Sequence, residues 1–269
     1  MGETKSMKPG TSSLPEPGPD CADYAICARS LVKRYKNSAH PALNNLSLDV
    51  RPGEFFGLLG PNGAGKTTAI SIVTGLFPPD SGTARIMGMA FRESEHEIKQ
   101  IMGLVPQNIG LYDKLTAWEN LTFFGKLCGI RGKKLAERIQ LGLEFARLTD
   151  HARQPVATFS TGMKRRLNLA VGLINDPQVL VLDEPCVGID AQSRNLIHEQ
   201  LTAINQRGTT ILYTTHYMEE AQELCSRIGI IDNGQLVKEG TPAALLQQSE
   251  KANLEELFLH LTGKELRDS

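Results

Sequence analysis

Several groups of residues in this chain have the types and spacing to handle phosphate. The first is Gly60-Pro61-Asn62-Gly63-Ala64-Gly65-Lys66-Thr67-Thr68, which satisfies the pattern G-x-x-x-x-G-K-[ST] directly after the apolar run Phe55 to Leu59. Glycines let successive backbone N–H groups curl around phosphate oxygens at a helix N-terminus whose dipole favours an anion. Lys66 adds a point charge between the β- and γ-phosphates, and Thr67 offers a hydroxyl to Mg²⁺, which takes few protein ligands. An accidental glycine-rich turn matches this pattern in roughly one chain of this length in a hundred, so the surroundings must decide.

Val179 to Leu182 are four apolar residues running into Asp183 and Glu184, the look of a buried parallel strand ending at a site. Asp183 is placed to hold Mg²⁺ through its water shell, and Glu184 to orient or deprotonate a water, as phosphoryl transfer to water requires. The plain alternative, two solvated carboxylates capping the next helix, is weakened because that helix begins near Asp190. His216 follows a further buried strand, Thr209 to Thr214, at the same end of the sheet, which favours a γ-phosphate contact over a structural histidine. Gln107 ends the short strand after Met102, a natural place for a metal or water ligand, although glutamine after proline is commonly a loop residue. From Phe159 to Leu167, small residues open a helix with Lys164, Arg165 and Arg166 in its first two turns. Cations there oppose the helix dipole and are explained if they face a polyanion; solvated basic residues behind an N-capping Ser160 are the default without context.

These residues need a scaffold of strands. Tyr24 to Tyr35 and Leu43 to Val50 read as β structure beside the nucleotide, and Arg51-Pro52-Gly53-Glu54 turns the chain into the strand before the loop. Tyr35 can stack on a base or serve as packing, and spacing leaves the two even. Thr68 to Gly75 reads as a helix, and Thr83 to Ala90 as a strand. Helical periodicity from Thr116 to about Ala152 puts Leu121, Phe124 and Leu127 on one face and Leu135, Ile139, Leu143 and Ala146 on another. Arg227 to Asp232 and Gln235 to Glu239 flank an Asn233-Gly234 hairpin turn, and Thr241 to Leu266 reads as one amphipathic helix.

With 269 residues and 41% hydrophobic content, the chain is long enough for a well-buried core. A net charge of −1 without blocks of like charge gives no general pull toward nucleic acid. No apolar stretch is long enough to span a membrane, so a soluble chain is expected. Cys21, Cys27, Cys128, Cys186 and Cys225 are odd in number and widely spaced, and they read as reduced thiols. Residues 1–22, rich in Pro, Gly and Ser, read as a disordered tail. The unit that carries the phosphate site is expected over 23–240, which the resemblance given next makes an ATP-binding domain, with a helical subdomain over about 110–175 and a helical extension over 241–269.

Together these segments resemble the ATP-binding cassette of an ABC transporter over about Tyr24 to Gly240. The resemblance implies an α/β P-loop fold with a mixed core sheet, an antiparallel β subdomain and an inserted α-helical subdomain. It implies that Tyr35 stacks on the base, that Gly60 to Thr68 is the Walker A loop, and that Gln107 is the Q-loop glutamine, ligating metal with Thr67 and Asp183. Asp183 and Glu184 would then be Walker B, Asp190 would belong to the D-loop, and His216 would be the switch histidine. The signature is usually Leu-Ser-Gly-Gly-Gln; here Phe159-Ser160-Thr161-Gly162-Met163 keeps the serine and second glycine. With Cys186 to Asp190, Thr214 to Ala221 and the tail Leu254 to Gly263, that signature is similar to the exporter branch handling antibiotics, drugs, lipids or polysaccharides. The implied cofactors are ATP and Mg²⁺. The implied partners are a transmembrane permease and a second cassette, as a homodimer or heterodimer, at the inner face of the cell membrane and without nucleic acid. The other class, soluble ABC ATPases acting on nucleic acid or ribosomes, usually fuses two cassettes or inserts a coiled coil, and neither is present here.

Overall fold

The computed structural model describes residues 21–36, 38–249 and 251–263, so the tail expected over 1–22 lies outside the described residues up to residue 20. The chain begins with two antiparallel strands, β1 (Ile26–Lys33) and β2 (Leu43–Val50), before β3 (Phe55–Leu59) and α1 (Lys66–Val73). β4 (Ser81–Ile86) and β5 (Met89–Ala90) complete a four-stranded antiparallel sheet in the order β2-β1-β4-β5. The single strand expected over Thr83 to Ala90 is thus a tight hairpin. Met87 and Gly88 both take positive φ, 49° and 78°, and reverse the chain so that Ile86 pairs with Met89. Then α2 (Phe91–Ile101), which carries one buried residue, Ile98, leads into β6 (Met102–Val105).

Three helices follow, α3 (Ala117–Leu127), α4 (Gly132–Phe145) and α5 (Thr161–Gly172). Thr116 and Glu119 form a reciprocal capping box that starts α3, a pairing that satisfies two otherwise orphaned amides. Leu121, Leu135, Ile139, Leu143, Ala146 and Leu167 share one core, which holds the three helices together. Leu127 departs from expectation and is 72% exposed: it is the last residue of α3, beyond Gly125, where the buried stripe Ala117, Asn120, Leu121 and Gly125 ends.

The chain then returns to the main sheet through β7 (Val179–Asp183), α6 (Ala191–Gln206), β8 (Thr210–Thr215), α7 (Met218–Leu224), β9 (Arg227–Asp232) and β10 (Gln235–Gly240). This sheet has the order β10-β9-β3-β8-β7-β6, parallel except for β10 at its edge. Parallel strands with both faces covered read as continuous apolar runs. Phe56, Leu58, Val179 and Val181 pack with α1 and the antiparallel sheet, while Phe55, Leu59, Leu180 and Leu182 pack with α6 and α7. Asn233 and Gly234, at φ 47° and 73°, make the expected left-handed hairpin turn. The single helix expected over Thr241 to Leu266 is two, α8 (Pro242–Ser249) and α9 (Leu254–Thr262). Asn253 caps α9 by accepting from the Glu256 amide at 2.9 Å, and Gly263 ends it with φ 62°; residues 264–266 lie outside the described residues.

The expectation of reduced cysteines is corrected at one pair. Cys21 is disulfide-bonded to Cys27 across the turn into β1, with Cα atoms 5.6 Å apart, within the ordinary reach of such a bond. Cys128, Cys186 and Cys225 are free.

Candidate functional site

Parallel strands bring their C-terminal ends to one edge, and four of them deliver the candidate residues there. β3 runs into the glycine-rich loop, β7 into Asp183 and Glu184, β8 into His216, and β6 stops two residues before Gln107. Within the loop, a Cβ on Gly60 would stand 2.5 Å from Ile231 O, and one on Gly65, whose φ is 110°, 2.5 Å from Ala42 O. No larger residue fits either place. Gly65 is the N-cap of α1 with no side-chain cap, and the first turn holds no acid, so the helix start keeps its amides for an anion. Pro61 and Ala64 are buried, whereas Asn62, Gly63 and Thr67 face outward.

Lys66 is 5% exposed; its Nζ donates to Gly60 O at 2.7 Å and Pro61 O at 3.2 Å and lies 3.1 Å from Glu184 Oε1. Glu184 also receives Gln107 Nε2 at 3.2 Å, and His216 Nδ1 lies 3.3 Å from the same Oε2. That His216 nitrogen is buried and unaligned for a hydrogen bond, an unspent polar atom aimed into the site. Glu184 holds its position through a left-handed backbone, φ 46°, uncommon for a residue with a side chain and concentrated at functional sites. Its amide donates to Thr214 Oγ1 at 3.0 Å, and Thr214 Oγ1 donates to Asp183 Oδ1 at 2.7 Å, so one hydroxyl braces both acids. The helix after them is capped by Asp190, not by Asp183 or Glu184. Hydroxyl, amide and carboxylate oxygens from Thr67, Gln107 and Asp183 are the donor set that a hard cation such as Mg²⁺ takes.

Tyr35, 45% exposed, stands beside the loop helix, with its hydroxyl 3.3 Å from Thr68 Oγ1 and its ring edge-on to Phe77. Ser160, Gly162 and Asp190 belong to a second cluster. Ser160 is exposed and caps α5 by accepting from the Met163 amide at 3.2 Å. A Cβ on Gly162 would fall 2.3 Å from Ser193 Oγ, and Asp190 accepts from the Ser193 amide and hydroxyl, both at 2.8 Å. Those Ser193 bonds, the amide first, hold the Asp190 carboxyl below its usual range. Among the described residues no hydrogen bond or ion pair joins Ser160 or Asp190 to Lys66 or Glu184.

Each basic side chain near the start of α5 has a partner within the chain. Lys164 pairs with Asp113 at 2.7 Å, and Arg166 donates to Ala146 O at 2.5 Å. Arg165 is buried and donates to Gln107 O and, at 3.2 Å, to Val187 O. Burial pulls its guanidinium below the usual range, opposed by Cys186 and Glu184. Arg165 thus fastens the Gln107 segment and the segment after Glu184 to α5, a positioning role that sequence reasoning missed, since a lone arginine in a charged run carries no signal of burial.

The model of the family described as ABC transporter matches residues 43–187. The chain is 47% identical to the linearmycin resistance ATP-binding protein LnrL of Bacillus subtilis over 81% of its own length and 70% of that protein. It is 44% identical to a Nod factor export ATP-binding protein I of Sinorhizobium fredii, over 88% of this chain and 68% of that one. Among solved structures, a dimeric post-hydrolysis state of an ATP-binding cassette bound to ADP and Pi superposes with a TM-score of 0.74 at 26% identity, covering 80% of this chain and 98% of the other.

Proposed function

The chain belongs to the ABC transporter family as an ATP-hydrolysing, ATP-binding domain of the exporter type, and from that premise we propose that two copies close around two ATP molecules and drive export through a separate transmembrane permease. The observation that carries this reading is the convergence on Glu184 of Lys66, Gln107 and His216, at 3.1, 3.2 and 3.3 Å, beside uncapped helix amides. The loop amides and Lys66 bind the phosphates, and Tyr35 stacks on the base. Thr67, Gln107 and Asp183 would hold Mg²⁺, which would neutralise charge on the phosphate oxygens.

Glu184 accepts the proton of a water as its oxygen bonds to the γ-phosphorus, while the bond from that phosphorus to the bridging oxygen breaks and ADP leaves. Lys66 Nζ, 3.1 Å from Glu184 Oε1, engages that carboxylate. Phosphate oxygens compete for Lys66 and release Glu184, so nucleotide arrival itself readies the proton acceptor. His216 donates toward the γ-phosphate. Ser160 and the Gly162 amide, remote from this chain's own Lys66 in bonding terms, serve the ATP held by the other copy. The relatives named for linearmycin resistance and Nod factor export support outward transport.

Glu184→Gln tests the reading, because the amide preserves shape and removes the proton acceptor. The variant is expected to bind ATP, lose steady-state turnover and accumulate as an ATP-bound dimer on size-exclusion chromatography. Normal turnover would refute Glu184 as the water-activating group, and an inactive, ATP-loaded monomer would refute the sandwich.

A further inference from the structure

A second buried cluster stands apart from the phosphate site. Cys186 (2% exposed) follows β7, His198 (5%) lies on α6 and Glu220 (3%) on α7, and one ligand-type atom from each lies within 4.8 Å of the others. Two polar atoms there are orphans: His198 Nε2 and Glu220 Oε1 are buried without a hydrogen-bond partner and stand 3.8 Å apart. Buried polar atoms rarely go unpaired, and two that face each other beside a thiol call for a shared partner. We propose that Cys186, His198 and Glu220 bind one divalent cation of the zinc class, with water as the fourth ligand. A thiolate, an imidazole and a carboxylate form a set that Zn²⁺ accepts tetrahedrally and that hard Mg²⁺ or Ca²⁺ does not select.

The surroundings are arranged for such an ion. The other oxygen of Glu220, Oε2, accepts from Tyr213 Oη and Thr215 Oγ1, both at 2.8 Å, which fixes the carboxylate with Oε1 toward the cluster. Behind the imidazole, His198 Nδ1 lies 3.5 Å from Glu223 Oε2, and a carboxylate behind a ligating histidine sets its tautomer and orientation. Burial opposes the charge on Glu220, but His198 and the Thr215 and Tyr213 hydroxyls outweigh it and hold the carboxyl below its usual range. Burial, reinforced by Glu220, pushes the Cys186 thiol up to about 12, a cost that a cation within bonding distance reverses. The competing cation is Arg194, whose Nε lies 3.6 Å from Glu220 Oε1 without a hydrogen-bond partner and whose guanidinium rests over the Tyr217 ring. Metal binding displaces it toward that ring. A surface depression lined by His198, Asn195, Glu199, Thr202 and Glu223 reaches the imidazole from its Nδ1 side. Once bound, the ion ties the segment after Glu184 to α6 and α7.

The test titrates the full chain with Co²⁺ as a spectroscopic stand-in. The expected result is one Co²⁺ per chain with a thiolate-to-cobalt charge-transfer band that Zn²⁺ abolishes and excess Mg²⁺ leaves unchanged. The band should vanish in Cys186→Ala and in His198→Gln and persist in Cys128→Ser. Zn²⁺ should raise the Tm of the parent and of neither cluster variant, with circular dichroism showing that the metal-free variants are folded. Absence of the band in the parent overturns the proposal, as does its persistence in Cys186→Ala. If Cys186→Ala fails to fold, an unaltered cobalt spectrum in His198→Gln overturns it equally.

Discussion

Lys66 serves three oxygens at once, Gly60 O, Pro61 O and Glu184 Oε1. Its removal therefore deprives the phosphates of their charge partner and leaves a buried carboxylate short of one. Lys66→Ala is expected to weaken ATP affinity by about 100-fold or more in titration calorimetry, and an affinity within about twofold of the parent would refute the assignment. The same substitution is expected to lower stability by about 1–3 kcal/mol, less than the loss of a dry, isolated pair because Gln107 and His216 still face Glu184. At this scale the sequence reveals which side chains can do chemistry, because a lysine after glycines and two acids after a buried strand have few other uses. It is silent on the left-handed backbone of Glu184 and on the burial of Arg165, both of which depend on distant partners.

Among the elements, the segment after Gln107 is the candidate for contact with a permease. Tyr112 is 48% exposed and Phe123 41%, and their rings lie 4.9 Å apart, an apolar patch that Leu111 adjoins in sequence. Asn120, fully buried, accepts from the Tyr112 amide at 2.8 Å and donates to Tyr112 O at 3.1 Å, so the patch is held rather than loose. Changing Leu111 and Tyr112 to Ser is expected to leave ATP hydrolysis by the isolated chain intact and to weaken co-purification with the membrane subunit; unchanged co-purification would place the contact elsewhere. A different element is the clamp at Arg227, whose Nε and one terminal nitrogen hold Glu54 at 2.7 and 2.8 Å while the same side chain reaches Asp49 O and Glu239. Burial opposes the Glu54 charge, but Arg227 and the Arg51 amide outweigh it and hold that carboxyl below its usual range. Glu54 therefore contributes stability that is present above the unfolded-state pKa, about 4.3, and lost as pH falls through the lower folded value. Unfolding free energies measured from about pH 6 to pH 3 should fall more steeply for the parent than for Glu54→Gln, and parallel curves would count against the clamp. The strands were legible because their apolar runs are continuous or alternate cleanly. The hairpin at Met87-Gly88 and the break between α8 and α9 were not, since one turn inside an apolar run leaves its periodicity nearly intact.

For the whole molecule, the question is whether one chain hydrolyses ATP alone. Ser160→Ala and Glu184→Gln should each inactivate a homodimer. In a mixture, a composite arrangement pairs an intact Lys66 and Glu184 half with an intact Ser160 half at one site, while the other site collects both lesions, so hydrolysis should return. If Ser160 served its own chain's nucleotide, every site would carry one lesion, and hydrolysis plotted against mixing ratio would stay flat once exchange between dimers has been demonstrated. The sheet order bears on the birth of the protein as well. β3 carries the phosphate loop, yet its neighbours are β8 and β9, with Phe55 against Ile211 and Phe56 against Arg227. A ribosome finishes the loop long before it has made either strand that borders it, and closing so long a stretch of chain is slow. During that interval β3 is an apolar ribbon with both edges open, the kind of segment that invites aggregation and chaperones. A nascent chain stalled short of Arg227 carries the whole phosphate loop but lacks β9, the strand that pairs with β3 and sets Ile231 O against Gly60.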